Sequence, residues 1–266
     1  MKAPFPFRKT MARAPDPHPD PIPPPAWASL ARADLEASTV WDFPDQGLGG
    51  IPCGDPSFNG VTPARCAANL VRRYTRPGDL VVDPMAGSGT VPDVARALGR
   101  RALGLDLAPR RRDIVRADAR AWPLAPGVAA LVLVDSPYSD NVVYSDDPRC
   151  LGRISCREAR FFEEMGRVAR EAHRVLRPGG ILAWIISDAY RGGTYTPVGF
   201  RLQDTLLRTF EAVDTVVLVR RNDRSATPMW EHRARRYNFF LRGFKFLFLL
   251  RKPRGRDSGD IHDEHP

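Results

Sequence analysis

Short apolar runs alternate with amphipathic stretches over most of the chain, and that alternation sets the expected fold. After Thr62-Pro63, a helix-start pair, Ala67, Leu70, Val71 and Tyr74 fall at helical spacing until Arg76-Pro77-Gly78 stops them. The pattern then predicts a strand over 80–83, a helix over 91–98, and strands over 102–107 and 130–134. The clearest helix follows. Phe161, Phe162, Met165, Val168, Ala169, Ala172, Val175 and Leu176 share one face, and Arg177-Pro178-Gly179-Gly180 ends it before a strand over 181–186. A helix over 201–210 precedes strands over 213–219 and 239–250, joined by a polar basic loop and read as a closing antiparallel pair. Strands that alternate with helices imply an α/β, doubly wound, mostly parallel sheet.

Composition changes the picture at the two ends. Residues 1–26 are read as a disordered arm, because nine prolines within the first 25 positions leave little to bury, and 254–266 as a flexible polar tail. The domain is expected over 27–253. No apolar run reaches the roughly 20 residues needed to cross a bilayer, and no apolar segment follows Lys2, Arg8 and Lys9. A cytoplasmic protein with no membrane contact is expected. Cys53, Cys66, Cys150 and Cys156 form no C-x-x-C pair and have no histidine at ligand spacing, so free thiols and no metal are expected. The formal charge of +9 is carried by one segment: residues 220–256 hold 12 Lys and Arg against Asp223 and Glu231. An anionic partner such as nucleic acid fits that excess, and so does a solvated basic face.

Four constellations carry candidate chemistry, each at the end of a predicted strand, where open α/β sheets bind ligands. The first is Asp83-Pro84-Met85-Ala86-Gly87-Ser88-Gly89-Thr90, whose glycines let a ligand approach the backbone at a helix N-terminus. A phosphate-binding P-loop would need Gly-Lys-Ser/Thr, and a dinucleotide fingerprint would need glycine where Pro92 stands. The second is Asp106, followed by Leu107. Its carboxylate suits two ribose hydroxyls, or a loop cap. The third is Asp118-Ala119, an acceptor for an adenine amino group or a surface acid. The fourth is Asp135-Ser136-Pro137-Tyr138, which by itself also reads as a strand-terminating turn.

Together these residues resemble the amino-methyltransferases of DNA that act on N4 of cytosine or N6 of adenine. Their cofactor loop typically reads Asp-Pro-Phe-x-Gly-Ser-Gly-Thr, with Met85 here for the usual Phe, and their catalytic turn Asp/Asn/Ser-Pro-Pro-aromatic, with Ser136 here for the first proline. Phe58-Asn59-Gly60 is similar to the Phe-x-Gly motif that precedes the loop in several subgroups. The resemblance spans about residues 41–253. It implies a seven-stranded sheet of the Rossmann-like methyltransferase type and S-adenosyl-L-methionine as cofactor. It assigns Phe58 to Gly60, Asp83 to Thr90, Asp106-Leu107 and Asp118-Ala119 to the cofactor. The side chain of Asp135 and the carbonyl of Ser136 would accept the target amine's hydrogens, Pro137 would fix the turn and Tyr138 would stack on the base. An initial Asp leans towards adenine, while the surrounding pattern is closer to the cytosine enzymes.

The expected partner is nucleic acid, DNA favoured and RNA possible, contacted by Arg221, Arg224, Trp230, Arg233, Arg235 and Arg236, where basic and aromatic residues interleave. A monomer or a homodimer is compatible with these features. Base methylation of rRNA or tRNA is the neighbouring expectation. A silent nucleic-acid-binding module that kept the cofactor fold is the one of another class.

Overall fold

The computed structural model describes residues 35–44, 47–48, 53–55, 57–58, 60–140, 142–221 and 227–254, all within one compact unit. The Pro-rich arm, the tail beyond Arg254, Asn59 and Arg224 lie outside the described residues. The strands are β1 (Val40–Trp41), β2 (Leu80–Asp83), β3 (Arg101–Asp106), β4 (Ile114–Arg116), β5 (Ala129–Asp135), β6 (Leu176–Ile186), β7 (Ala189–Arg191), β8 (Thr194–Thr196), β9 (Glu211–Val219) and β10 (Phe244–Arg251). The helices are α1 (Ala64–Tyr74), α2 (Thr90–Ala97), α3 (Ala159–Val175), α4 (Val198–Leu207) and α5 (Pro228–Arg236).

One sheet organises the unit in the order β1-β9-β10-β6-β5-β2-β3-β4. Strands β4, β3, β2, β5 and β6 run parallel, and β10 inserts antiparallel between β6 and β9. The sheet has eight strands among the described residues, not seven: the two-residue β1 adds a parallel edge beside β9, with Trp41 opposite Leu218. Successive side chains of a buried strand point to opposite faces, so each face collects its own core. Val132, Val134, Leu182, Trp184 and Phe248 meet Phe161, Met165 and Val168 of α3 and Leu202 of α4 on one face. Leu131, Leu133, Ala183, Ile185 and Leu247 meet Leu70 and Val71 of α1 and Val94 of α2 on the other.

Several other segments depart from the expected pattern. Strand β6 starts at Leu176 rather than 181, because the stretch before 181 is held to its neighbours: Leu176 pairs with Ala129 across an irregularity in β5, and Gly179, at φ 75°, and Gly180 exchange backbone hydrogen bonds with Lys252. Strand β10 starts at Phe244 rather than 239, after a segment in which Asn238 turns left-handed at φ 50°. The expected loop after β9 contains α5, started by Thr227, whose side chain accepts from the Trp230 amide, with Pro228 in the first turn. A small hairpin, β7–β8, follows β6, turning at Gly192-Gly193.

Helix α4 approaches the sheet through Gly199, whose amide donates to Asp188 at 2.8 Å. A Cβ placed there would lie 2.4 Å from the Phe246 ring. Gly199→Ala is therefore expected to lower unfolding free energy by about 1–3 kcal/mol through overpacking, measured by urea denaturation. An unchanged midpoint would show that the ring moves aside freely.

Candidate active site

The carboxyl ends of β2, β3 and β5 lie side by side, and the start of β10 reaches the same edge because it runs against them. There a cavity of about 610 Å³ opens. It is lined by Phe58, Gly60, Asp83, Pro84, Met85, Ala86, Gly87, Ser88, Thr90, Asp106, Leu107, Asp118 and Ala119, together with Asp135, Ser136, Pro137 and Tyr138. Thus nearly every described residue expected at the cofactor, and the whole expected catalytic turn, faces one space. Gly89 supports the loop from outside that lining.

The loop after β2 is held from both sides. Its Gly87 amide donates to Asp106 Oδ2 at 3.0 Å, and the Ala108 amide to Oδ1 at 2.9 Å. Gly89 takes φ 84° as the N-cap of α2, and a Cβ there would meet the Arg111 guanidinium at 2.3 Å. That guanidinium is locked bidentately on Asp93 at 2.6 and 2.7 Å and also reaches the Ser88 carbonyl at 3.2 Å. The segment before α1 lies across the same loop, with the Asp55 amide donating to Ser88 O at 3.0 Å. Phe58 sits against Gly87, stacks on Tyr144 at 6.1 Å and lies 5.3 Å from the Arg110 guanidinium carbon. An aromatic wall, free acceptor capacity on Asp106 and a buried carboxyl on Asp83 suit an adenosine-bearing cation. Asp118 lines the cavity too, but Arg120 grips both its oxygens at 2.7 Å while also bridging to Glu164. Burial raises the Asp118 pKa, yet the Arg120 contacts outweigh it and hold the carboxyl below its ordinary value.

The turn after β5 is tethered by contacts that sequence spacing does not reveal. Ser136 is buried, its hydroxyl accepts from the Trp184 indole at 2.9 Å, and its amide donates to Ile185 O at 3.4 Å. These bonds fix a turn that lacks the first of two prolines. Asp135 accepts from Thr62 Oγ1 at 2.9 Å on Oδ2, and the Lys245 ammonium straddles both its oxygens at 3.1 Å. Thr62 precedes α1 and Lys245 lies on β10, so three distant segments meet at this carboxylate. Neither residue was expected from the sequence. Lys245 is the one charge inside β10, whose last residue is Arg251, and a lysine between two phenylalanines was the available signal.

The basic segment divides. Arg221 lines the cavity but forms an ion pair with Asp42. Trp230, Arg233, Arg235 and Arg236 stand on α5, which buries no residue and does not line the cavity. Arg233 lies 5.1 Å over the Trp230 ring, and Arg235 pairs with Glu231 at 3.1 Å.

Residues 28–117 match the sequence profile of the family described as DNA methylase, a stretch that includes the loop at Asp83 to Thr90 and Asp106. Among solved structures, TrmN from Thermus thermophilus is 21% identical, with 73% of this chain and 50% of that one covered at a TM-score of 0.48. A SAM-dependent methyltransferase from Methanosarcina mazei is 12% identical, with 70% and 97% covered at 0.46. The chain spans about half the length of TrmN. The match ends before Asp135, so the reading of the turn after β5 rests on its own geometry.

Asp83 supplies a pH test. It is 5% exposed, bonded to the Met85 amide at 3.0 Å, and burial raises its pKa well above 3.8, with Asp135 and Asp106 adding repulsion. The folded state then holds this proton more tightly than the unfolded chain, so its contribution to stability falls as pH rises from 3.8 through the raised value. Asp83→Asn removes that dependence. Urea denaturation from pH 4 to 8 should show the Asn variant gaining on the wild type as pH rises, and parallel curves would contradict the assignment.

Proposed function

We propose that the protein transfers a methyl group from S-adenosyl-L-methionine to an exocyclic amino group of a nucleic-acid base, in DNA first of all. The observation that carries this reading is that the loop after β2 and the Asp135–Tyr138 turn open into one cavity. The DNA methylase match supports both the cofactor and the DNA substrate.

In this reading Asp106 accepts from the ribose hydroxyls, Phe58 and Leu107 flank the adenine, and Asp83 faces the positive end of the cofactor. When bound, S-adenosyl-L-methionine supplies a sulfonium methyl group, displaced with its C–S electrons remaining on sulfur as the N–C bond forms. The rest falls to the chain. An exocyclic amine is a weak nucleophile because its lone pair is delocalised into the ring. Asp135 and the Ser136 carbonyl accept its two hydrogens, localise that pair and aim it, while Tyr138 stacks on the ring. One amine proton then leaves to solvent. In a duplex the base must first leave the stack, at a cost of a few kcal/mol.

Charge and exposed aromatics near the strand ends suit that polymer. Tyr190 of the hairpin stacks on Phe239 at 5.4 Å, Arg242 lies 5.4 Å over Tyr195, and Phe240 is 82% exposed. Arg191 ties this hairpin to Asp140, five residues past Asp135, at 3.0 Å. Cations for phosphates and rings for bases are what an unstacked strand requires.

Nucleoside mass spectrometry on DNA and RNA incubated with the protein and methyl-labelled cofactor tests the reading. Labelled N4-methylcytosine or N6-methyladenine in DNA is expected. Label in RNA alone would move the substrate, and no label in either would overturn the reading. Asp135→Ala should lower the single-turnover rate about 100-fold or more with little change in cofactor affinity, and a near-wild-type rate would contradict its role. Replacing Arg233, Arg235 and Arg236 with Gln should flatten the slope of log affinity against log salt by about 0.7–0.9 per lost phosphate contact. A slope left unchanged would place α5 off the substrate.

A further inference from the structure

The hydrogen-bond inventory at Asp135 leaves one acceptor and one donor unspent, side by side. A carboxylate offers about four lone-pair sites. Here Lys245 takes one on each oxygen and Thr62 a second on Oδ2, which leaves a site on Oδ1. A lysine ammonium carries three N–H donors. Two of Lys245 go to Asp135, and no other acceptor for it occurs among the described residues. Both side chains line the cavity and are mostly buried, at 18% and 15% exposed. The cavity therefore presents an acceptor and a charged donor about one hydrogen-bond length apart. Loss of a buried partner is costly, so such a pair favours a ligand edge that satisfies both groups at once.

We propose that Lys245 is a specificity-determining residue that donates to the ring nitrogen next to the target amine while Asp135 accepts from that amine. The inference rests on the functional reading above and deepens it. Cytosine, at N4 and N3, and adenine, at N6 and N1, each present an amine donor beside a bare ring-nitrogen acceptor on the Watson–Crick edge. Guanine presents two donors there, N2–H and N1–H, and would set N1–H against the ammonium. A flipped base is read through this edge. Lys245 thus selects the amidine-like edge of cytosine or adenine and rejects the Watson–Crick edge of guanine. The same contact orients the ring so that the amine meets Asp135 and the Ser136 carbonyl.

The test removes the ring nitrogen from the substrate and the ammonium from the protein, separately and together. Single-stranded DNA dodecamers with randomised flanks carry adenine or 1-deazaadenine, and cytosine or 3-deazacytosine, at the centre. Binding by fluorescence anisotropy without cofactor, and single-turnover methylation with it, are measured for the wild type, Lys245→Met and Thr62→Val. Any change in the amine's intrinsic reactivity is common to all three proteins and cancels in the cycle. For whichever base is the substrate, the wild type is expected to prefer the natural ring by about 10- to 100-fold, the size of a hydrogen bond to a charged group. Lys245→Met should show almost no preference, and Thr62→Val should keep it. If Lys245→Met is too slow to time, the anisotropy ratios carry the same comparison. A preference retained in Lys245→Met, or lost in Thr62→Val instead, overturns the role of Lys245 alone. Absence of any methylated base with the wild type overturns the functional reading and this inference with it.

Discussion

Everything at the functional edge depends on one topological constraint: β2 is flanked by β3 on one side and β5 on the other, so the chain leaves their carboxyl ends in diverging directions. No connection can cover the crevice between such strands, and the backbone groups there stay available to a ligand. The loop after β2 and the turn after β5 face each other across it. Packing on both faces makes the arrangement rigid, because β5 and the second half of β6 are buried almost throughout and cannot slip in register without exposing their side chains. Rigidity in the strands is what lets short loops hold polar groups to within a hydrogen-bond length.

The second dependence is electrostatic. Asp83, Asp106 and Asp135 approach one cavity, and three carboxylates in one partly buried space repel one another. The structure relieves this differently at each. Asp106 accepts two backbone amides, Asp135 takes an ammonium and a hydroxyl, and Asp83, with one backbone amide and burial, is pushed towards its neutral form. Such a set of acids suits a cationic ligand better than an anionic nucleotide.

Much of this was legible in the sequence, since burial on two faces demands continuous apolar strands and the candidate acids stand at their ends. Strands β2, β3 and β5 and helix α3 follow directly from periodicity. What escaped has physical reasons. Strand β1 is two residues long and gains its place only by pairing with Val217 and Leu218. Helix α5 buries nothing, so it has no apolar stripe to detect, and its cap at Thr227 was the only cue. Thr62 and Lys245 lie 73 and 110 residues from Asp135 along the chain, and no local pattern links partners that meet only through the sheet. The bond that fixes Ser136 was not legible either, because the indole that makes it arrives from the neighbouring strand.

The central claim is that one cavity holds cofactor and target base together. A bisubstrate compound, with an adenosyl group joined through its side chain to the exocyclic nitrogen of cytosine or adenine, addresses both halves in a single calorimetric titration. The account predicts one molecule bound per chain, with affinity reduced both by Asp106→Ala and by Asp135→Ala. Affinity that responds to Asp106→Ala and ignores Asp135→Ala for both compounds would contradict it.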